Sequence, residues 1–448
     1  MIFKQLKSRR DFLRAGCRTL STLGAAAAFG QAGLVSARAQ TTSDYKALVC
    51  IFMFGGNDAN NLLIPTDTPT YTTYKTIRQN LAISQASLVQ LGSTNFGLHP
   101  SMAPVGPMFT ATAGKSSRLA MVANVGTLVN PVSRASNGNL NGSLPVNLFS
   151  HSDQQTEWQN GMPQGGATSG WEGRLADKIV ATGTLPPAIG IGGSALQIVG
   201  ENTQPAGITL NGFSLLAPST DPGAVALQNM LSIMGGPTLV QAAQGSLTDA
   251  MSVAKAVDAA VNNSSALTVT FPNTDIGSQL AQVAKIIQVQ SALGSTRQIF
   301  FCNQGGFDTH SDQLPQQSQL LGNLAAALVA FDQALQELGA VNNVTTFTES
   351  EFSRTFQPNG NAGTDHAWGS HHIVMGGAVQ GGQIYGQFPT LALNTGDDSG
   401  NRGNWIPSTS IDQYGAALAN WFGLGAADVP YVFPNLANFA GGRLGFLG

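Results

Sequence analysis

Cysteine is almost absent from this chain, with only Cys17, Cys50 and Cys302 among 448 residues. Their spacing fits no zinc knuckle, and there are too few of them for a disulfide-built scaffold. Charge is also scarce, at 10% of residues. No basic run occurs, which argues against a nucleic-acid or anionic-membrane partner. Three enzyme signatures are missing: G-x-S-x-G, the P-loop, and G-x-G-x-x-G between a strand and a helix. A serine hydrolase of the elbow type, a P-loop nucleotidase and a dinucleotide oxidoreductase are therefore poorly supported. Histidine numbers only six, and all but His99 stand close to an acid. Imidazole and carboxylate together are the usual ligands of zinc and its neighbours, so the pattern points to a metal site.

The N-terminus is specific. Ser8-Arg9-Arg10-Asp11-Phe12-Leu13 matches the twin-arginine export pattern, and Ala37-Arg38-Ala39 supplies a cleavage site after a mild apolar run. Gly24, Gly30, Gln31 and Gly33 interrupt that run, which is short for a membrane span. The reading is a signal peptide over residues 1–39, a periplasmic or secreted location, and no stable membrane insertion after cleavage. The mature chain then keeps 14 basic and 23 acidic residues, a formal charge of −9. Cys50 and Cys302 remain, each in an apolar run, and are read as buried free thiols, although an oxidising compartment would permit a disulfide.

Along the chain, apolar strand-like runs at 46–54, 118–125, 298–302, 344–348 and 373–375 alternate with helical patterns at 101–110, 171–179, 282–293, 313–338 and 411–422. This alternation predicts an α/β fold, a mostly parallel sheet with helices on both faces. Residues 40–448 read as one domain, with a helical insertion at about 182–274. Asp58, His310, Glu351 and the stretch 363–372 are all read as following strand carboxyl ends, the edge at which open α/β sheets bind ligands.

The chemistry lies in five segments. In GGNDANN, Asp58 follows a double glycine and is a metal ligand or a helix cap. In GGFDTHSDQ, Asp308 and His310 are candidate ligands, and Asp312 caps the next helix. GTDHAWGSHH offers Asp365, His366 and either His371 or His372, since alternation turns only one of that pair inward. In TESEFSRT, Glu351 completes a metal shell and Arg354 grips an oxyanion, or the two pair with each other. In FSHSDQQTEW, Ser150 and Ser152 flank His151 at a helix start, where a hydroxyl is placed for nucleophilic attack or for capping.

These stretches, with GLHPSMAP, GWEGRLAD, GGAVQGGQIYG and WIPSTSIDQYGAALANWFG, resemble the exported bacterial family known as domain of unknown function 1501. That family is similar to the alkaline phosphatase and sulfatase superfamily, which implies an alkaline-phosphatase-like α/β sandwich with one or two divalent metals at the strand ends. Carried over, Asp58 would be the N-terminal aspartate ligand. Asp308 and His310 would be the mid-chain pair, here separated by one residue rather than three. Asp365-His366 would be the Asp-His dipeptide, and His371 or His372 the last histidine. The sulfatase C/S-x-P-x-R motif is absent, and His151 occupies the corresponding region between Ser150 and Ser152. The resemblance implies a metal-dependent hydrolase of a phosphate or sulfate ester, on a small molecule or glycan. Zinc is the first choice of ion, ahead of calcium, manganese or iron. The alternative is an exported metal-binding protein without catalysis.

Overall fold

The first apolar run forms β1 (Lys46–Met53), buried at every position after Lys46. In this computed structural model, residues 44–111, 116–210, 225–226, 229 and 238–448 are described. The export leader, its cleavage site and Cys17 lie outside them. Eight further strands join β1: β2 (Leu119–Gly126), β3 (Ala188–Ile191), β4 (Ala206–Ile208), β5 (Arg297–Gln304), β6 (Val344–Glu349), β7 (Ser370–Met375), β8 (Ile384–Gly386) and β9 (Thr409–Ser410). The order is β8-β2-β7-β6-β1-β5-β3-β4, with β9 also on β2. β7 runs antiparallel to both its neighbours, and every other pairing is parallel.

Helices cover both faces, as the unbroken apolar strands require. Ala47, Val49, Ile51 and Met53 of β1 point to one core, packed by α5 (Asp275–Gln288) and α6 (Gln313–Glu337). Leu48, Cys50 and Phe52 point to the other, packed by α3 (Trp171–Lys178) and α7 (Ile411–Phe422). Each large side chain so buried contributes about 1.5–3 kcal/mol. The two thiols fall into opposite cores, Cys302 with the first and Cys50 with the second. The sheet separates them, and both are buried and free.

Several local expectations are corrected. The helix expected at 101–110 is a 3-10 segment, Pro100–Val105, followed by the short helix Gly106–Phe109, because Pro104 and Pro107 break the hydrogen-bond ladder. Within 182–274, β3 and β4 extend the main sheet ahead of the long helix α4 (Thr238–Asn262), which sends Val257 into the first core. The polar stretch α1 (Thr68–Arg78) carries no strong apolar signal. It is nonetheless a helix, capped by Asp67 and buried through Tyr71, Tyr74 and Arg78. The last helix to note is α2 (His151–Asn160), which starts at the histidine of FSHSDQQTEW. No described helix is long and apolar enough to cross a membrane.

Candidate metal centre

The parallel strands β1, β5 and β6 deliver the loops after Met53, Gln304 and Glu349 to one rim of the sheet. The stretch 363–372 does not follow a strand end as expected. It leads into β7 and ends within that strand at His372, and it reaches the same rim because β7 runs in reverse. The loop between β6 and β7 remains paired beyond the sheet. Arg354 bridges His366, Thr355 N–H donates to the Asp365 carbonyl (2.8 Å), and Ala367 N–H donates to that of Ser353 (2.9 Å). Gly55 lets the turn after β1 meet this assembly: its φ is 113°, and a Cβ there would collide with the backbone of Phe307 and Asp308.

Three imidazoles converge on a single carboxylate oxygen. From Asp308 Oδ1, His310 Nε2 lies 3.0 Å away, His151 Nε2 3.4 Å and His366 Nε2 3.6 Å. His310 Nε2 and His366 Nε2 are 3.1 Å apart. Ligand atoms of His151, Asp308 and His366 all fall within 4.8 Å of one another, and His310 reaches two of the three. Ligands roughly 2.0–2.1 Å from a tetrahedral zinc are about 3.3–3.4 Å apart, so the spacing suits an ion.

The far nitrogens decide what the near ones can be. His366 Nδ1–H donates to the carbonyl of Phe149 (2.8 Å). A carbonyl only accepts, so Nε2 of that ring carries the lone pair. His151 Nδ1 is held by Glu351 Oε1 at 2.9 Å and His310 Nδ1 by Asp365 Oδ1 at 3.3 Å. Carboxylate or carbonyl partners on the outer nitrogen are how metal-binding imidazoles are oriented. The His366 Nε2 lone pair faces His310 Nε2 and Asp308 Oδ1, where a cation or a ring N–H would meet it. His151 Nε2 is buried without a hydrogen-bond partner.

The charges around the group are balanced. Burial works to raise the Asp308 carboxyl pKa, but Arg354, His310 and His151 outweigh it and leave the carboxyl below its ordinary range. Asp365 is likewise lowered, because the Arg402 ion pair overcomes burial. The Glu351 hydrogen bond raises His151, whereas burial lowers His366.

Glu351 was read as a ligand. It is fully buried, and its Oε1 accepts from His151, from Gly55 N–H (2.8 Å) and from Gln155 Nε2 (2.9 Å). It therefore holds His151 in place. Arg354 was read as an oxyanion clamp. Its guanidinium is spent on Asp308 (3.0 Å), the Gly55 carbonyl (2.8 Å) and both oxygens of Thr364, so no free fork faces outward. Asp58 is buried against Arg78 and Gln313 and caps Asn60, away from the group. His371 accepts from Asn124 N–H (2.9 Å), and His372 is wedged between Trp158 and Tyr414. Burial takes both pKa values down to about 3. Both lie inside the sheet, because β7 is covered on each face. Ser150 donates to the Asp153 carboxylate (2.5 Å) and stands 3.2 Å from Ser152, so these hydroxyls bond to each other and to Asp153 and make no cap hydrogen bond to α2.

The family model for proteins of unknown function DUF1501 matches residues 45–402. The chain belongs to this family. No curated protein matches it in sequence. Among solved structures, the PsFucS1 sulfatase from Pseudoalteromonas sp. aligns with a TM-score of 0.30 and 9% identity, over 86% of this chain and 70% of that one. Ps i-CgsB aligns with a TM-score of 0.30 and 8% identity, over 78% and 70%. Its complex with k-i-k-neocarrahexaose aligns at 0.28 and 9%, over the same shares. At that level no site residue transfers.

In this DUF1501 chain, sequence reasoning missed Gln155, Phe352, Arg402 and the Phe149 carbonyl. Phe352 stacks on His366 (ring centroids 4.8 Å apart) and packs on His151 at the same separation. Its place in EFSR, one residue after Glu351, was the available signal. Nothing in the sequence marks Arg402 or a backbone carbonyl as part of the centre.

Proposed function

We propose that this protein is an exported, metal-dependent hydrolase acting on a phosphate or sulfate ester of a small molecule or glycan. His151, Asp308, His366 and His310 would hold a divalent ion, with zinc first by donor type. The observation that carries the reading is the convergence of three Nε2 atoms on Asp308 Oδ1. A divalent ion so held supplies Lewis acidity to an ester oxygen and to an attacking water.

The protein's own residues would do the positioning. Glu351 and Gln155 fix His151, and Arg354 neutralises the inner carboxylate. Phe352 closes one wall against water, while His310, 45% exposed, lines the open side. Ser150 and Ser152 bond to each other and to Asp153, so the nucleophile in this reading is water rather than either serine. The same observation favours a second reading, a metal-binding protein without catalysis. Export rests on the SRRDFL leader.

The test is elemental mass spectrometry on protein purified without chelator, followed by assays with nitrophenyl sulfate and phosphate. About one equivalent of metal, lost in Asp308→Ala and His366→Ala, supports the centre. No metal, with none taken up on titration, overturns it. Metal without turnover of either ester class selects the second reading.

A further inference from the structure

Arg134 reaches from one loop to another, and both loops hold His366. The first, residues 128–149, leads into α2 and ends on the Phe149 carbonyl that accepts from His366 Nδ1 (2.8 Å). The second, residues 390–405, sends Asn404 Nδ2 to the His366 carbonyl (3.0 Å) and Arg402 to Asp365. The outer nitrogen of the imidazole and its own backbone are thus fixed from two different segments.

A small hairpin presents the arginine. Ser133–Arg134 pairs with Leu140–Asn141, and Ala135 N–H donates to the Asn139 carbonyl (2.8 Å) to close the turn. The guanidinium then donates to the Asp398 carbonyl (2.7 Å), to the Gly400 carbonyl and to Asn394 Oδ1 (2.7 Å). Among the described residues, Arg134 donates every hydrogen bond that joins 128–149 to 390–405. Such charge-assisted bonds are roughly twice as strong as neutral ones. The path inward is short. Asp398 Oδ1 accepts from Asn404 N–H (2.9 Å) and Oδ2 from Gly403 N–H (3.1 Å). The residue whose carbonyl Arg134 holds therefore also shapes the turn that aims Arg402 and Asn404. Val132, Leu140 and Phe149 pack on the apolar cluster containing Trp368 and Ile406, so contact between the loops outlasts the loss of the guanidinium.

We propose that Arg134 is a positioning residue of the metal centre: it locks the two loops at the separation that sets the His366 ring. The inference rests on the reading of His151, Asp308, His366 and His310 as holding an ion. Arg134 acts through the loops, by way of the Phe149 carbonyl on its own segment and of Asn404 and Arg402 on the other. Truncating it leaves three acceptor oxygens without their donor, a gap that added guanidinium ion can fill.

The test is zinc affinity by chelator competition, together with the visible spectrum of the cobalt-substituted full chain, whose bands report ligand geometry. Arg134→Ala should bind zinc about tenfold more weakly with shifted cobalt bands, and guanidinium chloride at a non-denaturing concentration should restore both. Arg134→Lys keeps the charge but cannot reach three acceptors at once, so it should fall between; it carries the test should the alanine variant not fold. Arg118→Ala breaks the ion pair with Asp332 that ties the start of β2 to α6, and as a destabilised control it should keep the parental affinity and bands. Parental affinity and bands in Arg134→Ala, an equal loss in Arg118→Ala, or no response to guanidinium would overturn the proposal while leaving the metal centre standing. A parent that takes up no metal would overturn the metal reading itself, and this inference with it.

Discussion

Glu351 gathers three donors on one oxygen while fully buried, so exchanging that carboxylate for an amide disturbs more than charge. Glu351→Gln keeps the shape but weakens the grip on His151 Nδ1. Metal affinity should fall about 10- to 100-fold, as read by competition with a chromophoric chelator. Asp58→Asn separates a structural carboxylate from a ligand: metal content should stay at the parental value. Stability to urea should fall by roughly 3–5 kcal/mol, because Arg78 loses its buried counter-charge. Ser150→Ala and Ser152→Ala should leave any ester hydrolysis within about twofold of the parent, since both hydroxyls face Asp153 and each other. No cap hydrogen bond is lost with either hydroxyl, since the N-cap Ser150 makes none. The acid-flanked histidines made Asp308, His310, Asp365 and His366 legible in the sequence. His151 was legible as a site residue but not as a ring aimed at Asp308, because orientation at a helix start is set by what packs beside it. Asp58 misled because its partner, Arg78, stands on a helix whose Thr- and Tyr-rich text carries little apolar periodicity.

Strands were easier to read than their directions. Continuous apolar runs announced β1, β2, β5 and β6 and their burial on both faces. The reversal of β7 could not be read, since antiparallel pairing leaves no mark in six buried residues. The strands β3 and β4 at one end of the sheet are short, four and three residues, and the helical text that follows them dominates the segment. Strand alternation also settles the cysteines: Cys50 and Cys302 face opposite cores, so no bond can form between them in the folded chain. The melting temperature should be the same with and without reductant, measured by scanning calorimetry. One loop works at this scale as well. Buried Asp398 accepts from the backbone N–H groups of Asn394, Gly400, Gly403 and Asn404 (2.9–3.1 Å). The loop so shaped carries Arg402 to Asp365 and Asn404 to the His366 carbonyl.

At the scale of the molecule, buried acids shape the response to pH. Burial pushes Glu157 up to about 8, Glu349 to about 8 and Asp412 to about 7. A carboxyl whose pKa rises on folding holds its proton more tightly in the folded chain. Its contribution is fully present below the unfolded value of about 4 and is lost as pH climbs through the folded one. Glu157→Gln should therefore melt near the parent at pH 4 and several degrees above it at pH 9. A difference independent of pH would contradict the burial argument. The hairpin of β6 and β7 has a further consequence. Arg354, Asp365 and His366 belong to one local excursion closed by neighbouring antiparallel strands, whereas His151 and Asp308 come from distant parts of the chain. Short-range closure is fast and long-range pairing slow. During refolding the hairpin half should form early and remain unable to hold an ion, and competence to capture metal should appear only with the last, slowest phase.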